Sequence, residues 1–224
     1  MEIENYTQLP IQEELKKILL CQAALDIIMI DEEESWLRST SFYKDFSDGV
    51  DMVKIDNGSG DHVYIMFSKH GAIIKGFDHE SELSPYANDK GEIAKGIYDF
   101  VPDELSKLLD DSVEPDDVTF CIWRSKNDSF WRKGDIAVLK ENKDANDGEG
   151  YLLGLIFDNA ESWLDWAKDY YEEAEQLKLE FVKNVYEHKI EKKEIKEIIN
   201  PDRDIEEIIK ELEQIGYGIL NNCR

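Results

Sequence analysis

Imidazole and carboxylate groups gather at two neighbouring places in the sequence. Asp61 and His62 begin one predicted strand, and Asp78, His79 and Glu80 follow the end of the next strand. An antiparallel hairpin brings the start of its first strand beside the end of its second, so we expect these side chains to lie together. Imidazole and carboxylate are the ligands that zinc, manganese or iron use in proteins. The sequence therefore predicts a candidate metal site made of His62, His79, Asp78 and Glu80.

The same residues also suit a structural role. In that interpretation the ring of His79 is tied to Asp61 or to a backbone carbonyl, and it anchors the loop from Ser81 to Pro85. A metal-dependent hydrolase and a protein without any cofactor both remain open. We favour the protein without a cofactor and expect no enzymatic activity, because the sequence contains none of the catalytic signatures GxSxG, GxxxxGK[ST], HExxH and GxGxxG.

The turn of the hairpin decides which of these groups face each other. A three-residue turn at Lys69–Gly71, with the glycine in the left-handed conformation, would place His62 opposite Asp78 and Asp61 opposite His79. A two-residue turn made of His70 and Gly71 would instead place His62 opposite His79. Both registers remain open, and both gather the candidate ligands at one end of the hairpin.

A second candidate site is the acidic segment, which we define as residues 99–117. It contains eight acidic residues and a single basic one, Lys107. The eight are Asp99, Asp103, Glu104, Asp110, Asp111, Glu114, Asp116 and Asp117. A short helix packed on Leu105, Leu108 and Leu109 would turn many of these carboxylates outward. Such a surface either keeps the protein soluble or docks a basic partner that relieves the repulsion between like charges.

Composition limits the class of partner. The net charge of −25 argues against direct binding to nucleic acid or to an anionic membrane, because both require a cationic surface. Cys21, Cys121 and Cys223 are scattered without CxxC spacing, which favours reduced thiols in the cytoplasm and excludes a zinc ribbon. A cysteine nucleophile with His79 as its base is a further possibility. No secretory signal or membrane-spanning run is visible, so we expect a cytoplasmic protein.

The pattern of apolar residues predicts an α+β fold with a mainly antiparallel sheet. We expect a meander over 50–77 and further strands near 118–124 and 151–157. A helix over 10–30 would precede the sheet, and a long amphipathic helix over 158–188 with two shorter helices would follow it. The predicted organisation is an α+β core at 1–160 and C-terminal helices at 161–224, which we expect to form part of the same domain.

One part of the sequence resembles known proteins. The segments Asp56–Asp61 and Lys75–Ser81 are similar to uncharacterised bacterial cytosolic α+β proteins. They resemble more loosely the acidic immunity proteins that neutralise secreted bacterial toxins, including the SMI1/KNR4-like group. The resemblance covers about thirty residues around the hairpin. It implies a partner protein and transfers no catalytic residue.

Three hypotheses follow for the function. The first is a non-enzymatic acidic protein that holds a basic protein partner, such as a toxin that it neutralises. The second is a hydrolase that uses a metal ion at the ends of the hairpin. The third is a structural or regulatory protein that associates through its C-terminal helices. The sequence does not predict an oligomeric state.

Overall fold

A computed structural model describes residues 5–6, 9–87, 90–142 and 145–220 of the chain. The strands in the described residues are β1 (Asn5–Tyr6), β2 (Thr40–Ser47), β3 (Val50–Asp56), β4 (His62–Ser68), β5 (Gly71–Phe77), β6 (Phe120–Ser125) and β7 (Trp131–Lys133). The α-helices are α1 (Gln12–Met29), α2 (Asp103–Ser106), α3 (Ala137–Glu141), α4 (Glu149–Leu153), α5 (Ala160–Tyr170), α6 (Leu179–Tyr186), α7 (Lys192–Ile198) and α8 (Ile205–Gln214). The predicted α+β class is therefore confirmed, as is the predicted N-terminal helix.

The described strands form one seven-stranded sheet in the order β1-β7-β6-β5-β4-β3-β2. Neighbouring strands from β3 to β7 pair antiparallel, and β1 also pairs antiparallel with β7. Strands β4 and β5 occupy the middle of the sheet, and nearly all of their side chains are buried on both faces. This burial explains why β5 is apolar or glycine at every position except Lys75, without an alternation of apolar and polar residues.

The hairpin between β4 and β5 has a register that differs from both predicted ones. Its turn consists of Lys69 and His70, so Ser68 pairs with Gly71 and His62 pairs with Phe77. Gly71 is the first residue of β5, where its φ is 141° and an added Cβ would overlap the backbone of the neighbouring strand β6. Both the positive φ and the close approach of β6 therefore require glycine at this position.

The chain divides into two compact units. The first contains Met1–Leu15 and Asp45–Leu155, and the second contains Lys16–Lys44 and Ile156–Arg224. This division differs from the predicted boundary near residue 160, because residues 16–44 group with the C-terminal helices. A local sequence pattern does not reveal such a grouping, since it depends on contacts between distant parts of the chain.

Each unit has its own apolar core. In the first unit one face of the sheet packs with the segments that follow β5. That core includes Met52, Tyr64, Met66, Ile73, Ile97, Leu105, Val113, Val118, Cys121 and Trp123. In the second unit α1 packs with the helices from α5 to α8. That core includes Cys21, Leu25, Ile28, Trp163, Phe181, Val185, Ile195, Ile208, Leu212 and Tyr217.

Two predicted elements, the strand at 151–157 and the long helix over 158–188, are wrong. The predicted strand at 151–157 is instead the helix α4, followed by a turn, and Leu152 and Leu153 are its buried residues. A short apolar run does not distinguish a strand from a buried helical turn. The predicted long helix is interrupted between α5 and α6 by a 3-10 turn, in which Ala174 is buried. No helix in the described part of the chain is long and apolar enough to span a bilayer.

Candidate functional site

The loop between β3 and β4 positions the first candidate ligand, Asp61. The side-chain oxygen of Asn57 accepts hydrogen bonds from the backbone N–H groups of Ser59 and Asp61, at 2.9 and 3.2 Å. The amide nitrogen of Asn57 in turn donates to Oδ2 of Asp61 at 2.7 Å. Asn57 thus fixes both the loop and the carboxylate, a local role in which asparagine is common.

Asp61 binds His79 through both the backbone and the side chain of the histidine. Its Oδ1 accepts from the backbone N–H of His79 at 2.8 Å and lies 2.6 Å from Nδ1 of the ring. Burial opposes ionisation of Asp61, yet the hydrogen bonds from His79 and Asn57 outweigh it and lower the pKa of the carboxyl group. The hydrogen bond to Asp61 raises the pKa of His79, whose side chain is 46% exposed. The predicted anchor between these two residues is therefore present.

Asp78 lies next to this pair and is buried. Its Oδ1 accepts from the backbone N–H of Glu80 at 2.9 Å, whereas Oδ2 meets no donor among the residues that the structure describes. The positive φ of Gly148, 79°, brings its backbone against this carboxylate, and an added Cβ would overlap Asp78. One potential ligand atom each from Asp61, Asp78 and His79 lies within 4.8 Å of the other two. This arrangement offers three ligands to a divalent cation.

The other two predicted ligands do not join this group. Glu80 is exposed, and only its backbone N–H contributes, by binding Asp78. His62 is buried and contacts the rings of Tyr64 and Phe77. The predicted four-residue set is corrected to a set of three because the observed register places His62 opposite Phe77, inside the sheet.

His62 belongs instead to a buried network around Lys75 in the middle of the sheet. The Nζ of Lys75 lies 3.2 Å from Nε2 of His62 and donates to the carbonyl oxygens of Val113 and Glu114 at 2.9 and 2.7 Å. Burial lowers the pKa of Lys75 to about 8, while burial and the lysine charge lower the pKa of His62 to about 4. Sequence reasoning missed this network, although a lysine within the apolar run Ile73–Phe77 was a signal of it.

Lys75 ties the acidic segment to the sheet, since both of its carbonyl acceptors lie in that segment. Within the segment, the helix α2 covers only Asp103–Ser106, which is shorter than predicted, and Leu105 is its buried residue. Six of the predicted carboxylate residues are exposed: Asp99, Asp103, Glu104, Asp110, Glu114 and Asp116. Asp117 is half-buried, and for Asp111 the structure describes the backbone alone.

Some of these carboxylates also have local partners. Asp110 accepts from the backbone N–H of Ser112 at 3.0 Å, and Asp117 accepts from the hydroxyl of Tyr86 at 2.7 Å. The carboxylate of Glu114 lies 3.5 Å from Nε2 of His62. The remaining exposed carboxylates have no such contact among the described residues, and they are the ones that can meet a partner directly.

Neither described cysteine, Cys21 or Cys121, supports the predicted nucleophile pair with His79, since both are buried, and Cys223 lies outside the described residues. Cys21 lies in the second unit, where its sulfur is 3.7 Å from Nε2 of His188. Burial raises the pKa of Cys21 to about 12, so the thiol stays protonated and unreactive near neutral pH. Burial likewise raises the pKa of Cys121.

Comparisons with protein-family models, with curated proteins and with solved structures found no match for this chain. The resemblance to acidic immunity proteins therefore stays a prediction, and the function is inferred from the residues of this chain.

Proposed function

We propose that this protein is a non-enzymatic binding protein that holds a basic protein partner on its acidic segment. The observation that carries the proposal is the outward display of six carboxylates within residues 99–116, with Lys107 as the only basic residue of the segment. Like charges held this close repel each other, and a cationic partner would convert the repulsion into attraction. The negative electrostatic field of the acidic segment would also accelerate association with a cationic partner at low salt.

Anchoring of the segment supports this proposal. The backbone at Val113 and Glu114 is bound to a fully buried lysine, and Tyr98 donates to the carbonyl oxygen of Pro115 at 2.5 Å. Leu105 and Val113 are buried in the core of the first unit. A surface that is already ordered loses less conformational entropy on binding. A toxin with a basic, nucleic-acid-binding face has the chemistry that this surface would fit.

A defined cationic probe tests this proposal. Deca-lysine would be titrated calorimetrically into the wild-type protein, at low and at high salt, and into two variants of equal net charge. The acidic-segment variant carries D99N, D103N, E104Q and D116N, and the control variant carries D169N, E197Q, E207Q and E213Q, which change exposed residues of the second unit. We expect salt-sensitive binding that is weakened at least about tenfold in the acidic-segment variant alone. Equal weakening in both variants would show that net charge, not the segment, governs binding.

A second candidate function is binding of a divalent cation by Asp61, Asp78 and His79. The specific observation is the convergence of their ligand atoms within 4.8 Å, together with the Oδ2 of Asp78, which meets no donor among the described residues. A bound ion would neutralise two neighbouring carboxylates. If the ion kept an open position, it would supply the Lewis acid that a hydrolase requires.

Thermal melting with added Zn²⁺ or Mn²⁺ tests the second candidate. A cation that binds the folded protein raises the melting temperature by an amount that grows with the logarithm of its free concentration relative to its Kd. The expected rise should disappear in D78N, which keeps an oxygen acceptor for the Glu80 N–H, and persist in E80Q. If neither ion changes the melting temperature of the wild-type protein, the metal site and the hydrolase hypothesis are both rejected.

A further inference from the structure

The second unit contains a cavity of about 240 Å³ that none of the functions above uses. Its walls come from α1, from the 3-10 helix Glu32–Leu37, from the start of β2 and from the end of α8. The volume is below the range of drug-sized pockets, so it suits a smaller molecule.

An arginine in the cavity wall has more N–H donors than acceptors. The side chain of Arg38 is only 9% exposed, and it donates to Glu211 at 2.7 Å and to the carbonyl oxygen of Ile30 at 2.8 Å. A guanidinium group has five N–H donors, so three of them find no acceptor among the described residues, including the fully buried Nε. The buried Nε is out of reach of a ligand, but Arg38 lines the cavity, and the spare N–H group on each terminal nitrogen can donate to a ligand oxygen.

The charges around the cavity restrict the ligand. Arg38 is already neutralised by Glu211, and the exposed carboxylate of Glu32 adds a negative charge at the wall. A simple anion would reach the arginine donors only at the cost of repulsion from both carboxylates. A zwitterion avoids this conflict, because its ammonium group can approach Glu32 while its carboxylate accepts from Arg38.

The remaining wall is suited to an aliphatic body. Ile27, Phe42 and Ile215 line the cavity and supply apolar surface, and Ser35 and Ser41 are also lining residues. Apolar walls with a few placed polar groups are typical of sites for small molecules. We propose that this cavity binds a free α-amino acid with an aliphatic side chain.

Three probes separate the contributions of the two charged groups of the ligand. Leucine carries both groups, 4-methylpentanoate lacks the ammonium, and leucinamide lacks the carboxylate. Titration of the full chain, followed by calorimetry or NMR, should show leucine binding at least about tenfold more tightly than either analogue. Absence of leucine binding at millimolar concentration, or equal binding of 4-methylpentanoate, would overturn the proposal.

A pair of exposed glutamates locates the site. E32Q removes the expected partner of the ammonium group and should weaken leucine binding about tenfold. It should also lower the ratio of the affinity for leucine to the affinity for 4-methylpentanoate. E33Q is the matched control, because Glu33 is exposed and does not line the cavity. Leucine binding that is equal in E32Q and E33Q would place the ligand elsewhere and reject this site.

Discussion

The ammonium nitrogen of Lys75 lies 3.2 Å from Nε2 of His62, and both side chains are buried in the middle of the sheet. The histidine is neutral near pH 7, because burial and the neighbouring lysine lower its pKa to about 4. The lysine also donates hydrogen bonds to two carbonyl oxygens of the acidic segment, those of Val113 and Glu114. This pair therefore links the sheet to the proposed docking surface.

Removal of the lysine donors should loosen the acidic segment. In K75M the stem is retained but the carbonyl oxygens of Val113 and Glu114 lose their charged donor, which is worth about 1.5–3 kcal/mol. We expect hydrogen exchange at the backbone amides of Val113, Asp117 and Val118 to accelerate by roughly tenfold or more. K54M on β3 is the control, and it should leave the exchange of these amides unchanged. Unchanged exchange in K75M would show that the lysine does not hold the segment.

His62 should make the protein less stable in acid. Its folded-state pKa of about 4 lies below the ordinary value of 6.5, so the unfolded chain takes up a proton first as the pH falls. The free energy of unfolding should therefore fall between pH 6.5 and pH 4, by about 3 kcal/mol from this residue. Denaturant titrations of wild type and H62Q would isolate the effect, since all other groups titrate in both proteins. An equal loss in the two proteins would contradict the assignment.

Asp26 should have the opposite pH dependence. Burial raises its pKa to about 7, so the folded protein holds a proton that the unfolded chain releases above pH 3.8. Its contribution to stability is complete below pH 3.8 and is lost as the pH rises to 7. D26N mimics the protonated form and keeps an oxygen for the Thr40 N–H, which donates at 2.7 Å. Between pH 4 and pH 8 the free energy of unfolding of D26N, relative to that of wild type, should increase by up to about 4 kcal/mol. A constant difference across this range would reject the raised pKa.

Gly76 and Phe120 should be energetically coupled. They are paired across β5 and β6, and a Cβ added at Gly76 would overlap the phenylalanine ring. We expect G76A to destabilise the protein by about 1–3 kcal/mol through overpacking and F120A by about 3–5 kcal/mol through the cavity it leaves. In the double variant the alanine methyl occupies part of that cavity, so the combined loss should be smaller than the sum of the two. Additive losses would mean that the two residues do not share one packing site.

The sequence predicted the strands of the hairpin more reliably than their register. Alternating and continuous apolar residues mark β3, β4 and β5, and Val63, Ile65 and Ile73, which belong to this pattern, are fully buried. Turns of two or three residues fit the same pattern, however, and a shift of one residue decides what His62 faces. This shift explains why His62 is not part of the cluster, whereas Asp61 and His79 lie just beyond the paired residues and still meet.

Features that depend on distant residues were not visible in the sequence. The cavity near Arg38 requires Glu211, which is 173 positions away along the chain. The network at Lys75 likewise requires Val113 and Glu114, which lie 38 and 39 positions away. The acidic segment was predicted because it is contiguous, whereas the outward direction of each carboxylate depends on how the segment packs.

Affinity capture from native lysate tests the central proposal most directly. Immobilised wild-type protein, the acidic-segment variant and the control variant of equal net charge would be compared at low and high salt, with bound proteins identified by mass spectrometry. We predict that wild type and the control retain the same basic protein at low salt and release it at high salt, and that the acidic-segment variant fails to retain it. Retention of the same proteins, in equal amounts, by the acidic-segment variant and the control would contradict the proposal that residues 99–117 form the docking surface.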